Sequence, residues 1–375
     1  MLVYFCEALH TLRMDINLVA MGINVLEEEI KTNDPLDLYR IRKKFPTRIV
    51  HMPVQQDSSG CWWALNRLCV HVTQALRFAM RTNANERVVF YTRNYSSILA
   101  FLLMRRWLRR KVVVVMEIHT TPGNFLQRLL LPRADGIVAN SFALKHDLTE
   151  NGFLPSTQVL GTHMGVDFKL YDELRISKLE ARDKLGLPVD KKLALYTGKI
   201  YWGYQEIQYL LAAARRLPST IELVLVGGRA DHVHLWRELI TKENISNVIF
   251  TGFVPPNVVQ YYQMAADVLL LYYPSGMELN KYRSPGKLFE YMASGRPIIA
   301  ADYPVLREVL GDDPVAVLVP PDAPHLLAQN IVTLLTDQTQ MEELAARALE
   351  RVRQFTWEIR ARRIQDFVKT IAQGA

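Results

Sequence analysis

Apolar positions in this chain follow two rhythms. Short, continuous, β-branched runs alternate with longer stretches in which apolar residues recur every three or four positions. "KVVVVMEIH" (111–119) reads as a buried strand, and "DGIVANS" (135–141) as another that runs into a helix cap. Ser141 would cap the helix "FALKHDLTENG", which stops at Gly152. Further on, strands are expected at 193–197, 221–226, 248–251, 268–271, 297–300 and 315–318. Helices fill the gaps, among them 205–217, 231–243 and 256–265. Repeated strand–helix alternation predicts an α/β chain of parallel sheets with helices on both faces.

The organisation expected is 1–167 as a first Rossmann-like domain, 168–354 as a second, and 355–375 as a lone amphipathic helix. The start departs from the pattern. "VYFCEALHTLRMDINLVAMGINV" reads as helix then strand, with no strand and Gly-rich turn before it. The first domain is therefore expected to lack its leading unit, through truncation at a mistaken start or through loss.

Composition adds three constraints. With 375 residues, 49% of them hydrophobic, the chain can bury more than one core. Three cysteines, Cys6, Cys61 and Cys69, fit neither a disulfide framework nor a zinc pattern, which suggests a reducing cytoplasm. No apolar run is long enough to span a bilayer and no signal-peptide pattern opens the chain. The net charge of +7 lies wholly in residues 1–165, where 20 Lys and Arg face 13 Asp and Glu. In "ILAFLLMRRWLRRK" (98–111) a basic cluster follows an apolar run. It reads either as a sheet-packing helix with a solvated end or as a contact with an anionic membrane. No nucleic-acid motif accompanies the charge, so no nucleic-acid partner is expected.

Candidate chemistry gathers at strand ends of the second half, where open parallel sheets bind ligands. Gly198 and Lys199 follow the 193–197 strand, and Gly227 with Gly228 follow the 221–226 strand. In "YRSPGKLFEYMASGRPIIAAD" (282–302), Ser284 is placed as helix N-cap with Pro285 at the first helical position. The free amides there attract anions, and Lys287 adds a cation where a helix dipole prefers acid. Glu290 follows three residues on, hence on the same face. The bland alternative is a capped helix with a Lys287–Glu290 surface pair, worth about 0.3–0.5 kcal/mol. The sharper one is a cradle for a nucleoside diphosphate.

Together these residues resemble the retaining family-4 glycosyltransferases, which have the GT-B fold: two Rossmann-like doubly wound domains facing a cleft. "YTGKIYWG", "ELVLVGG", "VIFTGFVP", "SPGKLFEYMASGRPIIAAD" and "VLVPPDAPHLLAQNIVTLLTD" carry the likeness in order. "SPGKLFEYMASG" looks like the Ser-Pro-x-Lys-x-x-Glu-Tyr-Met-Ala signature of one branch. "MEIHT", "ADGIVANSFALKHDL" and "THMGVDFKLYD" look like acceptor-domain segments. The helix with Trp357 is similar to the one that crosses back to the first domain.

The resemblance implies a transferase that moves a sugar from a nucleotide-sugar donor to a glycan, lipid-linked or small-molecule acceptor. It implies that Gly198 and Lys199 hold the diphosphate with Lys287 near the same phosphates, that Gly227 and Ser284 belong to the donor site, and that Glu290 binds the ribose. Backbone at Phe253 and Val254 would face the base, and His119 would reach the sugar. Catalytic roles are expected for His119, Lys199 and Lys287. No Asp-x-Asp motif occurs, so no metal is expected, and no cofactor beyond the donor. The chain departs from the family at Tyr282, where the first glutamate of Glu-x7-Glu would stand, and at Tyr204-Gln205, where a second basic residue is usual. Two other readings remain open: an inactive nucleotide-sugar-binding or scaffold protein, and a nucleotide-sugar epimerase.

Overall fold

A computed structural model describes residues 2–14, 18–23, 41–43, 47–52, 72–73, 88–108, 112–150 and 152–374. They group into two compact units. One runs from Met164 to Ile359; the other takes most of the chain before Met164 and the residues from Arg360 on.

The Met164–Ile359 unit holds six parallel strands: β7 (Lys192–Thr197), β8 (Ile221–Val226), β9 (Val248–Gly252), β10 (Val268–Leu271), β11 (Ile298–Ala301) and β12 (Val317–Val319). Their order is β12-β11-β10-β7-β8-β9, which is doubly wound and reverses direction between β7 and β10. Every residue of β8, β10 and β11 is buried, as expected for strands covered on both faces. Asp267 anchors the entry to this sheet. Its carboxylate accepts from the Leu193 amide (2.7 Å) and Arg182 (2.5 Å), and Lys178 lies within 2.5 Å. Two passages of chain are clasped at the margin of this unit: the Val166 amide donates to Phe355 and the Trp357 amide to Val166.

The other unit carries four strands in sequential order: β3 (Val88–Thr92), β4 (Val112–Ile118), β5 (Gly136–Ala139) and β6 (Val159–Gly161). All seven residues of β4 are buried. A separate parallel pair joins β1 (Leu18–Ile23) to β2 (Thr47–Met52), in register Leu18 to Thr47. A helix, Leu2–Thr11, precedes β1. The helix Trp357–Gly374 contributes its residues from Arg360 on. Phe367 and Ile371 press on Gly136, where an added Cβ would lie 2.6 Å from Ile371.

The basic stretch 98–111 falls on the helix Tyr95–Leu108 and beyond. Arg105 is committed to Asp135 (2.7 Å), whose other oxygen accepts from the Val114 amide (2.8 Å), so this arginine ties the helix to the sheet. Residues 109–111, Cys61 and Cys69 lie outside the described residues, and Cys6 is buried. Among the described residues no helix is long and apolar enough to cross a membrane.

Candidate functional site

The reversal point of a doubly wound sheet opens a crevice beyond the carboxyl ends of its strands. In the six-stranded sheet that point lies between β7 and β10, and the sequence-predicted residues of this unit collect around it. Three strands leave the sheet through glycines. The Gly198 amide donates to Val226, and the Gly227 amide to Gly252 (both 3.0 Å). Gly227 has φ 119° and lies so close to Gly198 that a Cβ would sit 2.2 Å from its carbonyl oxygen. Only glycine permits both the angle and the approach. Lys199 is exposed beside this turn. Phe253, just past β9, is 38% exposed, with Val254 half-buried behind it.

The helix Gly286–Ser294 closes the other side. It buries Leu288, Phe289, Tyr291 and Met292 and ends at left-handed Gly295. Tyr291 fixes it to the end of β7 by accepting from the Thr197 amide (2.8 Å), and burial pushes that phenol up to about 12. One expectation fails here. Ser284 is not the N-cap: Pro285, one residue on, takes that place and makes no side-chain cap bond. The Ser284 hydroxyl instead accepts from the Met164 amide (3.0 Å), a partner 120 residues away. The outcome suits an anion site: the first turn has no acidic residue, and its N-cap proline makes no side-chain cap bond.

Lys287 and Glu290 do not pair with each other. The Lys287 ammonium is 3.2 Å from Glu206 and sits over the rings of Tyr196 (4.0 Å) and Tyr273 (5.1 Å). Burial opposes its charge. The tyrosine oxygens and Glu206 outweigh that opposition, and its pKa stands well above the ordinary lysine value. Glu290 accepts from Gln263 (3.2 Å), which in turn accepts from Tyr171 (2.6 Å). Burial raises the Glu290 carboxyl, against the Gln263 hydrogen bond and Lys287. Tyr282 is buried, 5% exposed, where the missing glutamate would stand.

His119 belongs to the four-stranded unit, just past β4. Glu117 beneath it has no side-chain exposure. The Glu117 carboxylate accepts from Tyr91, from Arg93 (2.6 Å) and from His119 Nε2 (3.1 Å), and Arg360 stands 3.2 Å away. Burial works against its ionisation, yet Arg360, His119 and Arg93 hold its pKa well below the carboxylate range. Asn140 donates to the other ring nitrogen, Nδ1 (3.0 Å). Arg93, Asn140, Glu206, Tyr196, Tyr273 and Arg360 were not singled out in the sequence. For Arg360 a signal existed. Trp357, Ala361, Ile364 and Val368 form a buried stripe at helical spacing, and Arg360 interrupts it.

A cavity of about 620 Å³ lies elsewhere, beside Lys178, Arg182, Lys191 and Asp267 at the amino end of the sheet. Arg182 and Lys178 are already paired with Asp267, and Lys191 with Glu222. Among the described residues no cluster could hold a metal ion.

The two parallel-sheet α/β units define a chain with the GT-B fold. The structure of Anabaena HepE in complex with UDP superposes with TM-score 0.70 at 18% identity, over 98% of this chain and 96% of that one. Residues 191–337 match the family model described as glycosyl transferases group 1. A D-inositol 3-phosphate glycosyltransferase of Xylanimonas cellulosilytica is 33% identical over 183 residues, 47% of this chain and 42% of that protein. A phosphatidyl-myo-inositol mannosyltransferase of Mycolicibacterium smegmatis is 26% identical over 190 residues, 50% of this chain and 47% of that one. The chain thus spans about half the length of the curated relatives it matches.

Proposed function

We propose that this protein is a glycosyltransferase that moves a sugar from a nucleotide-sugar donor to a glycan, lipid-linked or small-molecule acceptor. The observation that carries the proposal is the placement of Lys287. A half-buried cation stands in the first turn of a helix whose N-cap is a proline, beside the glycine turns of β7 and β8, at the sheet's reversal point. Departure of a nucleoside diphosphate leaves negative charge on its terminal oxygens, and fixed cations and amides stabilise it. Lys287, Lys199 and the helix amides would supply that stabilisation without a metal. Gly198 and Gly227 let backbone approach the phosphates, with Ser284 shaping the helix start. Glu290 would take the ribose hydroxyls and the backbone of Phe253 and Val254 the base.

His119 would act at the sugar, and transfer would proceed with retention, as in the family-4 enzymes the motifs resemble. The group 1 match and the UDP-bound fold relative support a nucleotide donor; the two inositol-acting relatives support a polyol or lipid-linked acceptor. A cytoplasmic location with peripheral membrane contact through the basic first half accords with the charge distribution.

The test is a thermal-shift panel of UDP, GDP, ADP, UDP-glucose, GDP-mannose and ADP-glucose. At least one raises the Tm of the parent, since ligands that bind only the folded state stabilise it. Lys287→Met abolishes that shift, and His119→Ala keeps it while losing turnover. No shift with any member would overturn the proposal.

A further inference from the structure

Arg360 is a puzzle in energetic terms. It is 3% exposed, and its Nε, Nη1 and Nη2 find no hydrogen-bond partner among the described residues. Buried guanidinium groups with no hydrogen bonds are unfavourable unless something offsets the loss of water. Two contacts remain: the Phe5 ring, 5.4 Å from the guanidinium carbon, and the Glu117 carboxylate at 3.2 Å, an ion pair without hydrogen-bond geometry. A helix needing only to dock would place an apolar residue here, as it does at Ala361, Ile364 and Val368.

What Glu117 does explains the arginine. One oxygen accepts from Tyr91. The other meets Arg93, Arg360 and His119 Nε2. A carboxylate held ionised can only accept, so Nε2 must be the ring nitrogen that carries the proton. That leaves Nδ1 as acceptor for the Asn140 amide. The Asn140 side chain is placed with its amide nitrogen toward the ring and its oxygen buried without a hydrogen-bond partner among the described residues. Arg93 is 33% exposed on its side chain and partly screened by water; Arg360, at 2%, is not. Without Arg360, burial would favour a protonated Glu117, and a carboxylic O–H could donate to the ring and shift its proton to Nδ1, with the Asn140 amide turned to accept it through its oxygen.

We infer that Arg360, from the C-terminal helix, is a positioning residue that sets the tautomer and orientation of His119 through Glu117. Its relevance to catalysis rests on the glycosyltransferase reading, but the tautomer does not. Nitrogen-15 NMR of histidine-labelled full-length protein, with His119 assigned from His119→Ala, reads it directly. The parent shows a single Nε2–H tautomer. Arg360→Met gives a mixture or the Nδ1–H form, and Arg360→Lys keeps the parent signature.

Should Arg360→Met fail to fold, the double variant Glu117→Gln/Arg360→Met removes both charges together and leaves neither buried alone. It is expected to fold with His119 no longer in one tautomer. A parent-like signature in whichever of these two variants folds overturns the inference, as does a parent without the Nε2–H form.

With the fastest of UDP-glucose, GDP-mannose and ADP-glucose as donor, Arg360→Met lowers kcat at least ten-fold and leaves donor KM within two-fold. Unchanged kcat would remove its role in turnover. Full turnover by His119→Ala would instead sink the reading of His119 as catalytic, with the tautomer result still standing.

Discussion

Lys287 and Glu206 form an ion pair, Nζ to Oε1 3.2 Å, from positions 81 residues apart. The carboxylate takes up the cation that a diphosphate would need. Glu206 stands in the first turn of the helix Gln205–Ala214, two residues after Tyr204, where a basic residue is usual in the resembled family. A bound diphosphate and Glu206 therefore compete for one ammonium. Glu206→Gln is expected to tighten UDP or GDP binding about two- to five-fold, below the ~1.4 kcal/mol that a factor of ten represents. Isothermal titration measures it, and weaker binding by the variant would refute the competition.

Glu290 should show opposite effects on stability and binding. Burial raises its pKa above the ordinary 4.5, so its contribution favours the fold below that value and is lost as pH rises through the folded pKa. Glu290→Gln is expected to match or exceed the parent's Tm near pH 7, with the advantage gone by pH 4. The same change should weaken nucleoside diphosphate binding about ten-fold. Paired melting and titration curves decide both halves.

Asp267 should behave in the reverse sense. Burial alone would raise its pKa; Lys178, the Leu193 amide and Arg182 lower it below 3.8. Its contribution is therefore present above the unfolded pKa and lost as pH falls through the folded one. Asp267→Asn leaves Arg182 buried without its counter-charge and should cost about 3–5 kcal/mol at pH 7. The deficit should shrink below pH 3.8. Donor affinity of the folded variant should be unchanged, because Asp267 lies at the amino end of β10.

Gly227→Ala combines two penalties. A positive φ of 119° in an L-residue is worth about 1–3 kcal/mol of strain, and the new Cβ would lie 2.2 Å from the Gly198 carbonyl. Urea melts should show clear destabilisation, and nucleotide-induced thermal shifts should fall with it. A variant as stable as the parent would mean that the β7 and β8 turns move apart without penalty.

Much of the α/β pattern was legible because its strands are short β-branched runs with two covered faces. Strands expected at 193–197, 221–226 and 268–271 are observed at Lys192–Thr197, Ile221–Val226 and Val268–Leu271. Glycine at strand ends and the lysine at a helix start were also visible, since both break local preference. What local preference does not encode is the partner. Ser284 looked like a cap because serine is the best local solution, but a backbone amide 120 residues away claims it. Lys287 and Glu290 looked paired at one-turn spacing, and each turns to another element instead. Arg360 could have been found by asking why charge interrupts an apolar stripe.

The four-stranded unit is discontinuous in the chain: Glu117 is made early, and its buried counter-charge, Arg360, comes more than two hundred residues later. Domains tend to fold as they leave the ribosome, amino-terminal first. Here the carboxylate waits through synthesis of the whole Met164–Ile359 unit before its arginine emerges. The unit begun first thus gains its buried counter-charge only after the other unit has been made.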